Sequence, residues 1–346
     1  SDVCTAPSLQ LALDASRQGV VLLKNNKNTL PLDNKTVSSI ANIGPNANNN
    51  GVMEGNYHGT APFLISVQTG LQMYVKNVNY QMGVDMNSKN TSGIPAAVSA
   101  AKEADVTILV MGLDQSQESE GHDRSSIAIP GEQSDCITQV AAAAKGPVIL
   151  VILSGGCVDI SAFRDSDNVD AIIWAGYPGM YGGQAIADVI FGRFNPTGRI
   201  TQTFYLSSYT DDIKMDDMNM RPNSATSSVG RGYRYYPGKV VYPFGSGMSY
   251  TTFECGDVTE SDGKLMTTVK NTGSVDGGAA VLVYFVPNDA GQNGVELKRL
   301  VGFGRVDMLK SGGSQQLSMD IYPEFLNGQE HKDMDGKYMS SCPGAM

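Results

Sequence analysis

Val106-Thr-Ile-Leu-Val-Met111 runs directly into Gly112-Leu-Asp-Gln-Ser-Gln-Glu-Ser-Glu-Gly-His-Asp-Arg124. An apolar run of this length, ended by glycine, predicts a strand covered on both faces. The segment after it is polar and flanked by glycine. It carries two carboxylates, Glu118 and Glu120, two positions apart, and then the cation Arg124. Open parallel sheets bind ligands in the loops beyond the carboxyl ends of their strands, so this loop is a candidate site. A solvated acidic loop is the alternative the residues alone leave open, because surface carboxylates are common.

Outward from that strand the same alternation repeats. Towards the amino end, Leu9, Leu11, Ala12, Ala15, Val20 and Leu23 are spaced as in a helix over residues 8–26, and Val37–Ile43 reads as a strand stopped by Gly44-Pro45. Gly55-Asn-Tyr-His-Gly59 sets the aromatic Tyr57 on a glycine-bracketed loop. A helix at Val67–Tyr74, a strand at Val78–Met82 and a helix opened by Pro95 and running to Ala104 follow. Towards the carboxyl end, Pro130-Gly-Glu begins a helix through Ala141–Ala144, Val148–Leu153 and Val169–Trp174 are buried strands, and Gln184–Phe191 is a helix. Strands alternating with helices imply an α/β domain, a mostly parallel sheet sandwiched by helices, over residues 1–205. Residues 206–250 are irregular and read as a packed connection. From Thr251 short alternating segments (Leu265–Lys270, Ala280–Val286, Leu300–Val306, Gln315–Ile321) are separated by turn signals, which predicts a small all-β sandwich over 251–346.

Composition narrows the function. The 346 residues are 41% hydrophobic with a net charge of −10 and a pI near 4.8, which argues against nucleic acid or anionic membrane as partner. No apolar run approaches the ~20 residues of a membrane span. Five cysteines without a CxxC, three histidines and no HExxH predict no metal site, and no cofactor motif is present. Gly176-Tyr-Pro-Gly179-Met-Tyr-Gly182-Gly183 lies between a strand and a helix, but it is neither GxGxxG nor a Walker A loop. It reads as a glycine-dependent turn. Asn34-Lys-Thr and Asn90-Thr-Ser are acceptor sequons, which fits a secreted glycoprotein. Ser1-Asp-Val-Cys is not an initiator, so a processed or partial chain is expected.

Taken in order, the motifs resemble a family. Ala15-Ser-Arg-Gln-Gly-Val-Val-Leu-Leu-Lys-Asn25, Gly112–Arg124, Leu153-Ser-Gly-Gly156, Gly176-Tyr-Pro-Gly179, Asn195-Pro-Thr-Gly198-Arg, Tyr233-Arg-Tyr-Tyr236, Tyr242-Pro-Phe-Gly245 and Lys270-Asn-Thr-Gly273 are similar to the C-terminal half of family 3 glycoside hydrolases, in particular the β-xylosidase branch of plants and fungi. The Gly-Leu-Asp-Gln-Ser run and the two-Glu loop favour that branch over β-glucosidases. The resemblance implies an N-terminal (β/α)8-type barrel, with the nucleophilic aspartate, that lies outside these residues. The α/β sandwich and a fibronectin type III-like domain would then be the parts present. It further implies a retaining, exo-acting enzyme that releases xylose from β-1,4-xylooligosaccharides, with α-L-arabinofuranosidase activity as a variant.

Retaining glycosidases set two carboxyl groups about 5–5.5 Å apart across the scissile bond, one the nucleophile and the other the acid/base. The resemblance assigns Glu120, in Glu120-Gly-His-Asp-Arg, as the acid/base, with Glu118 the alternative. Glu118 would otherwise bind a sugar hydroxyl or raise the pKa of Glu120 by like-charge repulsion. Tyr57 resembles a residue lining the sugar subsite, and a core tyrosine is the other reading. Asp123 and Arg124 read as an ion pair supporting the loop, with direct substrate contact as the alternative. Without the barrel the nucleophile is missing, so a carbohydrate-binding or scaffolding chain is the competing hypothesis. Cys255 and Cys342 stand at the two ends of the β-domain, but spacing does not establish a disulfide.

Overall fold

The structure is a computed structural model that describes residues 4–214, 216–321 and 335–344. It divides into two compact units, residues 1–198 and 199–346, so residues 199–250 group with the C-terminal unit.

The first unit begins with α1 (Ala6–Gly19), capped by the Thr5 side chain and carrying a proline in its first turn. Here the structure corrects the predicted helix over 8–26: the helix ends at Gly19, and Val21–Asn25 is strand β1. The reason is in the side chains. Val20 to Leu23 are four consecutive apolar residues, all buried, and a helix with one solvated face would expose part of such a run.

The succeeding elements are β2 (Ser39–Ile43), α2 (Val67–Gln72), β3 (Asn77–Gln81), α3 (Ile94–Glu103), β4 (Val106–Gly112), α4 (Gln133–Ala143), β5 (Val148–Leu153), α5 (Ser161–Arg164), β6 (Ala171–Trp174) and α6 (Gly182–Ile190). Every residue of β4, β5 and β6 is buried, as continuous apolar runs require when helices cover both faces. The six strands lie in the order β1-β6-β5-β4-β2-β3. All neighbours are parallel except β1, which runs antiparallel along β6.

That order contains one reversal. The chain leaves β2 outward to β3, then returns past β2 to place β4 on its other side and continues to β5 and β6. Between β2 and β4 the following connections diverge, which opens a crevice at the carboxyl ends of those strands. The loops after β2, β4, β5 and β6 all emerge on this edge.

The second unit opens with β7 (Phe204–Tyr205), α7 (Tyr209–Asp212), α8 (Gly232–Tyr235) and β8 (Val240–Tyr242), with β7 antiparallel to β8. Tyr205 stacks on Tyr209 and both meet Tyr236 edge-on, so the segment read as a packed connection is pinned by aromatic contacts. The β-sandwich follows: β9 (Phe253–Cys255), β10 (Thr259–Ser261), β11 (Lys264–Asn271), β12 (Gly277–Pro287), β13 (Arg299–Leu309), β14 (Ser314–Asp320) and β15 (Gly336–Ser341). One sheet runs β10-β11-β14 with β9 also on β11, and the other runs β13-β12-β15. Alternate residues of the two sheets, among them Leu265, Val269, Val281, Val283, Val301 and Leu317, form the shared core. A disulfide joins Cys255 to Cys342, 87 positions apart, with Cα atoms 5.9 Å apart.

Candidate active site

The loop after β4 starts under firm control. Gln133, at the first position of α4 and fully buried, accepts from the Gly112 amide (2.8 Å) and donates to the Gly112 carbonyl (3.0 Å). Buried Asn46, in the loop after β2, donates to the Leu113 carbonyl at 3.1 Å. Gln115 then donates to the Glu54 carbonyl (2.5 Å), tying the β4 loop to the segment that carries Tyr57. The Gln133 and Asn46 bonds satisfy backbone groups where β4 ends.

Glu118 is held on all sides. Its Oε1 accepts from the amides of Gly155 (2.5 Å) and Gly156 (3.2 Å) and from the Tyr177 hydroxyl (2.6 Å). Its Oε2 accepts from the Gly156 amide (3.0 Å) and stands 3.5 Å from Arg124 Nη2. The two glycines follow β5 and Tyr177 follows β6, so three loops converge on one carboxylate. The glycines leave the carboxylate and guanidinium room to close on the backbone. A Cβ on Gly155 would meet Glu118 Oε1 at 3.0 Å and the Tyr177 ring at 3.1 Å, and one on Gly156 would meet Arg124 Nη2 at 2.6 Å. Burial, and then the hydrogen bond to Glu118, push the Tyr177 phenol well above its ordinary pKa, so it remains a donor.

Glu120 is placed differently. Residues 119–122 form a tight turn in which the His122 amide donates to the Ser119 carbonyl at 2.9 Å. The hydroxyl of Ser119 and Nδ1 of His122 lie 3.1 Å apart. Gly121 supplies the positive φ of +75° that this turn needs. Glu120 stands at the exposed tip, and among the described residues it has no hydrogen bond or ion pair. Two carboxylates two positions apart thus have opposite environments, one saturated with donors and one presented outward.

Arg124 does not pair with Asp123, which corrects the expected ion pair: it takes Glu118 and the Cys157 carbonyl (3.1 Å) instead. The carboxylate six positions back lies under the loop, whereas Asp123 is exposed. Arg124 nonetheless supports the loop. Tyr57 is 78% exposed, so it is no core tyrosine, and its neighbour His58 pairs with Glu54 at 3.1 Å. Beside the Glu120 turn lies a cleft of about 550 Å³ lined by polar groups including Gln117, His122, Asp123 and Ser126. Tyr177, Gln133, Gln115 and Asn46 were not singled out as site residues from sequence. The signals the sequence holds for them are the glycine-rich turn around Tyr177, the Gly-Leu-Asp-Gln-Ser run that contains Gln115, and the Pro130-Gly-Glu helix start that precedes Gln133.

The fold and this loop define an α/β domain that presents a carboxyl group at the carboxyl edge of its sheet. The chain belongs to glycosyl hydrolase family 3, and residues 20–250 match the model of that family's C-terminal domain. It is 39% identical to Beta-D-xylosidase 3 of Arabidopsis thaliana, over 90% of this chain and 44% of that protein. It is 39% identical to an exo-1,4-beta-xylosidase of Emericella nidulans, over 93% and 43%. Among solved structures, a GH3 exo-beta-xylosidase in complex with a xylobiose aziridine activity-based probe superposes with a TM-score of 0.86 at 36% identity, covering 98% of this chain and 47% of that one. A GH3 beta-glucosidase of Bifidobacterium adolescentis gives 0.79 at 28%, covering 97% and 51%. The chain therefore spans about half the length of these relatives.

Proposed function

We propose that this chain supplies the acid/base of a retaining exo-β-xylosidase, with Glu120 as the proton donor. The nucleophilic aspartate would come from an N-terminal barrel part of the same enzyme. The observation carrying this reading is the contrast within the loop: Glu120 stands at an exposed turn tip with no hydrogen-bond or ion-pair partner among the described residues, on a loop tied to the strands at both ends. A general acid must reach the leaving oxygen and so cannot be consumed by its own protein. Glu118 cannot meet that demand while five contacts occupy it. Exposed Tyr57, linked through Gln115, would face the apolar side of the bound sugar. The xylosidase relatives, at 39% identity, support xylooligosaccharides over glucosides as substrate. The same reading makes the enzyme a secreted glycoprotein, with exposed Asn34 and Asn90 as its modification sites, and makes the C-terminal sandwich a fibronectin type III-like brace.

The test is Glu120→Gln in the enzyme assembled with its barrel. General acid catalysis contributes about 10²–10⁴-fold, so xylobiose hydrolysis should fall by that amount. A dinitrophenyl xyloside, whose leaving group needs no proton, should lose far less in its first step. Wild-type turnover of xylobiose by the variant would overturn the assignment.

A further inference from the structure

We infer that Glu118 is a positioning residue: its carboxylate, gripped by the Gly155 and Gly156 amides, Tyr177 and Arg124, is the anchor that aims Glu120, and it does not bind sugar. The inference rests on the assignment of Glu120 above and adds how that group is held.

Three observations converge. First, the donors come from three separate places: the loop after β5, the loop after β6, and Arg124 on the far side of the turn. A carboxylate meant for a sugar hydroxyl keeps a lone pair free for it, whereas here Oε1 alone accepts three bonds. Second, a Cβ on Gly155 or Gly156 would crowd the ends of the Glu118 and Arg124 side chains and push them from their present places, so the bare Gly155-Gly156 backbone lets the carboxylate sit directly on its amides. Third, Glu118 and Arg124 bracket the turn 119–122 and are themselves paired, which closes the loop at its base and leaves Glu120 at the apex. Bonds from amides and a hydroxyl to an ionised acceptor are the strong kind, and a strand-end loop without them would sample many orientations.

The predicted signature follows from what the anchor controls. When Glu118 is replaced by Gln, one oxygen and its charge are lost. When Tyr177 is replaced by Phe, a single donor is lost. In both cases Glu120 keeps its chemistry but is less well aimed, and a misplacement of about 1 Å can cost on the order of 10²-fold. The loss should fall on kcat for substrates with poor leaving groups. It should shrink progressively as the leaving group improves, with KM little changed.

The experiment is a leaving-group series of aryl xylosides plus xylobiose, run on the full enzyme with Glu120→Gln, Glu118→Gln, Tyr177→Phe and Gly156→Ala, alongside a thermal melt of each. The expected result is that Glu118→Gln and Tyr177→Phe reproduce the leaving-group dependence of Glu120→Gln in weaker form, Tyr177→Phe losing about 10-fold and Glu118→Gln about 10²-fold on xylobiose. Gly156→Ala should fall between them. A rise in KM with kcat preserved would make Glu118 a sugar ligand and overturn the inference. A loss uniform across all leaving groups, tracking a lowered melting temperature, would reduce the anchor to general folding and also overturn it. If Glu120→Gln itself shows no leaving-group dependence, the acid assignment fails instead, and the two failures are distinct.

Discussion

Asp188 on α6 is almost wholly enclosed and ties α6 to Arg17 of α1 and to Tyr74 just beyond α2. Its Oδ2 accepts from Arg17 Nε at 2.6 Å and from Nη2 at 2.5 Å, and its Oδ1 takes the Tyr74 hydroxyl. The side chains of Asp188 and Arg17 are 2% and 13% exposed. Asp188→Ala would leave the Arg17 guanidinium buried with only Asp14, 3.4 Å away and 43% exposed, to turn to. Breaking a buried pair from one side costs about 3–5 kcal/mol, and Asp14 puts the expected value near the lower end, about 3 kcal/mol. At about 2–4 °C per kcal/mol for a unit of this size, that is a drop in Tm of roughly 6–12 °C. Stacking of Tyr74 on Phe191, with centroids 4.6 Å apart, should keep the helix contact in place, so the far-ultraviolet spectrum should be unchanged below the transition. Calorimetry of the single variant beside Arg17→Met/Asp188→Ala decides the cause. The double variant should regain part of the loss, because it removes the orphaned charge. A fall of less than about 2 °C in the single variant would refute the argument that this pair is desolvated enough to matter.

The Cys255–Cys342 disulfide closes an 87-position loop in the β-sandwich, so Cys342→Ser should destabilise that unit by about 2–4 kcal/mol. Trp174, the sole tryptophan, lies in β6 of the other unit; its fluorescence transition should stay in place while the sandwich melts earlier, and an equal shift in both would contradict the prediction. Acid should weaken the fold through carboxylates held below their usual range: Asp276 by Lys310 and then by the Ser311 amide, and Asp105 by the Ser38 amide and then Ser39. A depressed folded pKa means the stabilisation is complete above the unfolded value near 3.9 and drains away as pH falls through the lower folded value. Thermal melts should therefore be flat from about pH 6 to 5 and decline below about 4, and Asp276→Asn should lessen that decline.

Much of the first unit was legible because burial on both faces writes itself into sequence. Val148–Leu153 is a strand with the predicted bounds, and β4 extends its prediction by one residue. The boundary between α1 and β1 was missed because Leu9 to Leu23 carry enough apolar residues to mimic one long helix. Only the antiparallel pairing of Val21–Asn25 with β6 shows where the period changes. In the sandwich, the alternation along β11 was plain. The short edge strands β9 and β10, with three residues each, have too few positions to show a period.

The α/β class and the presence of a loop with two neighbouring carboxylates were legible along the chain, because composition and periodicity are local properties. Which carboxylate is anchored and which is free was decided only in three dimensions. Glu118 meets Gly155, Gly156 and Tyr177 across separations of 37, 38 and 59 positions. Those meetings exist because β4, β5 and β6 are neighbours in the sheet. Spacing along a chain cannot encode that adjacency. It arises from the strand order, which brings the loops to one edge, and from the glycines that let a carboxylate approach the backbone there.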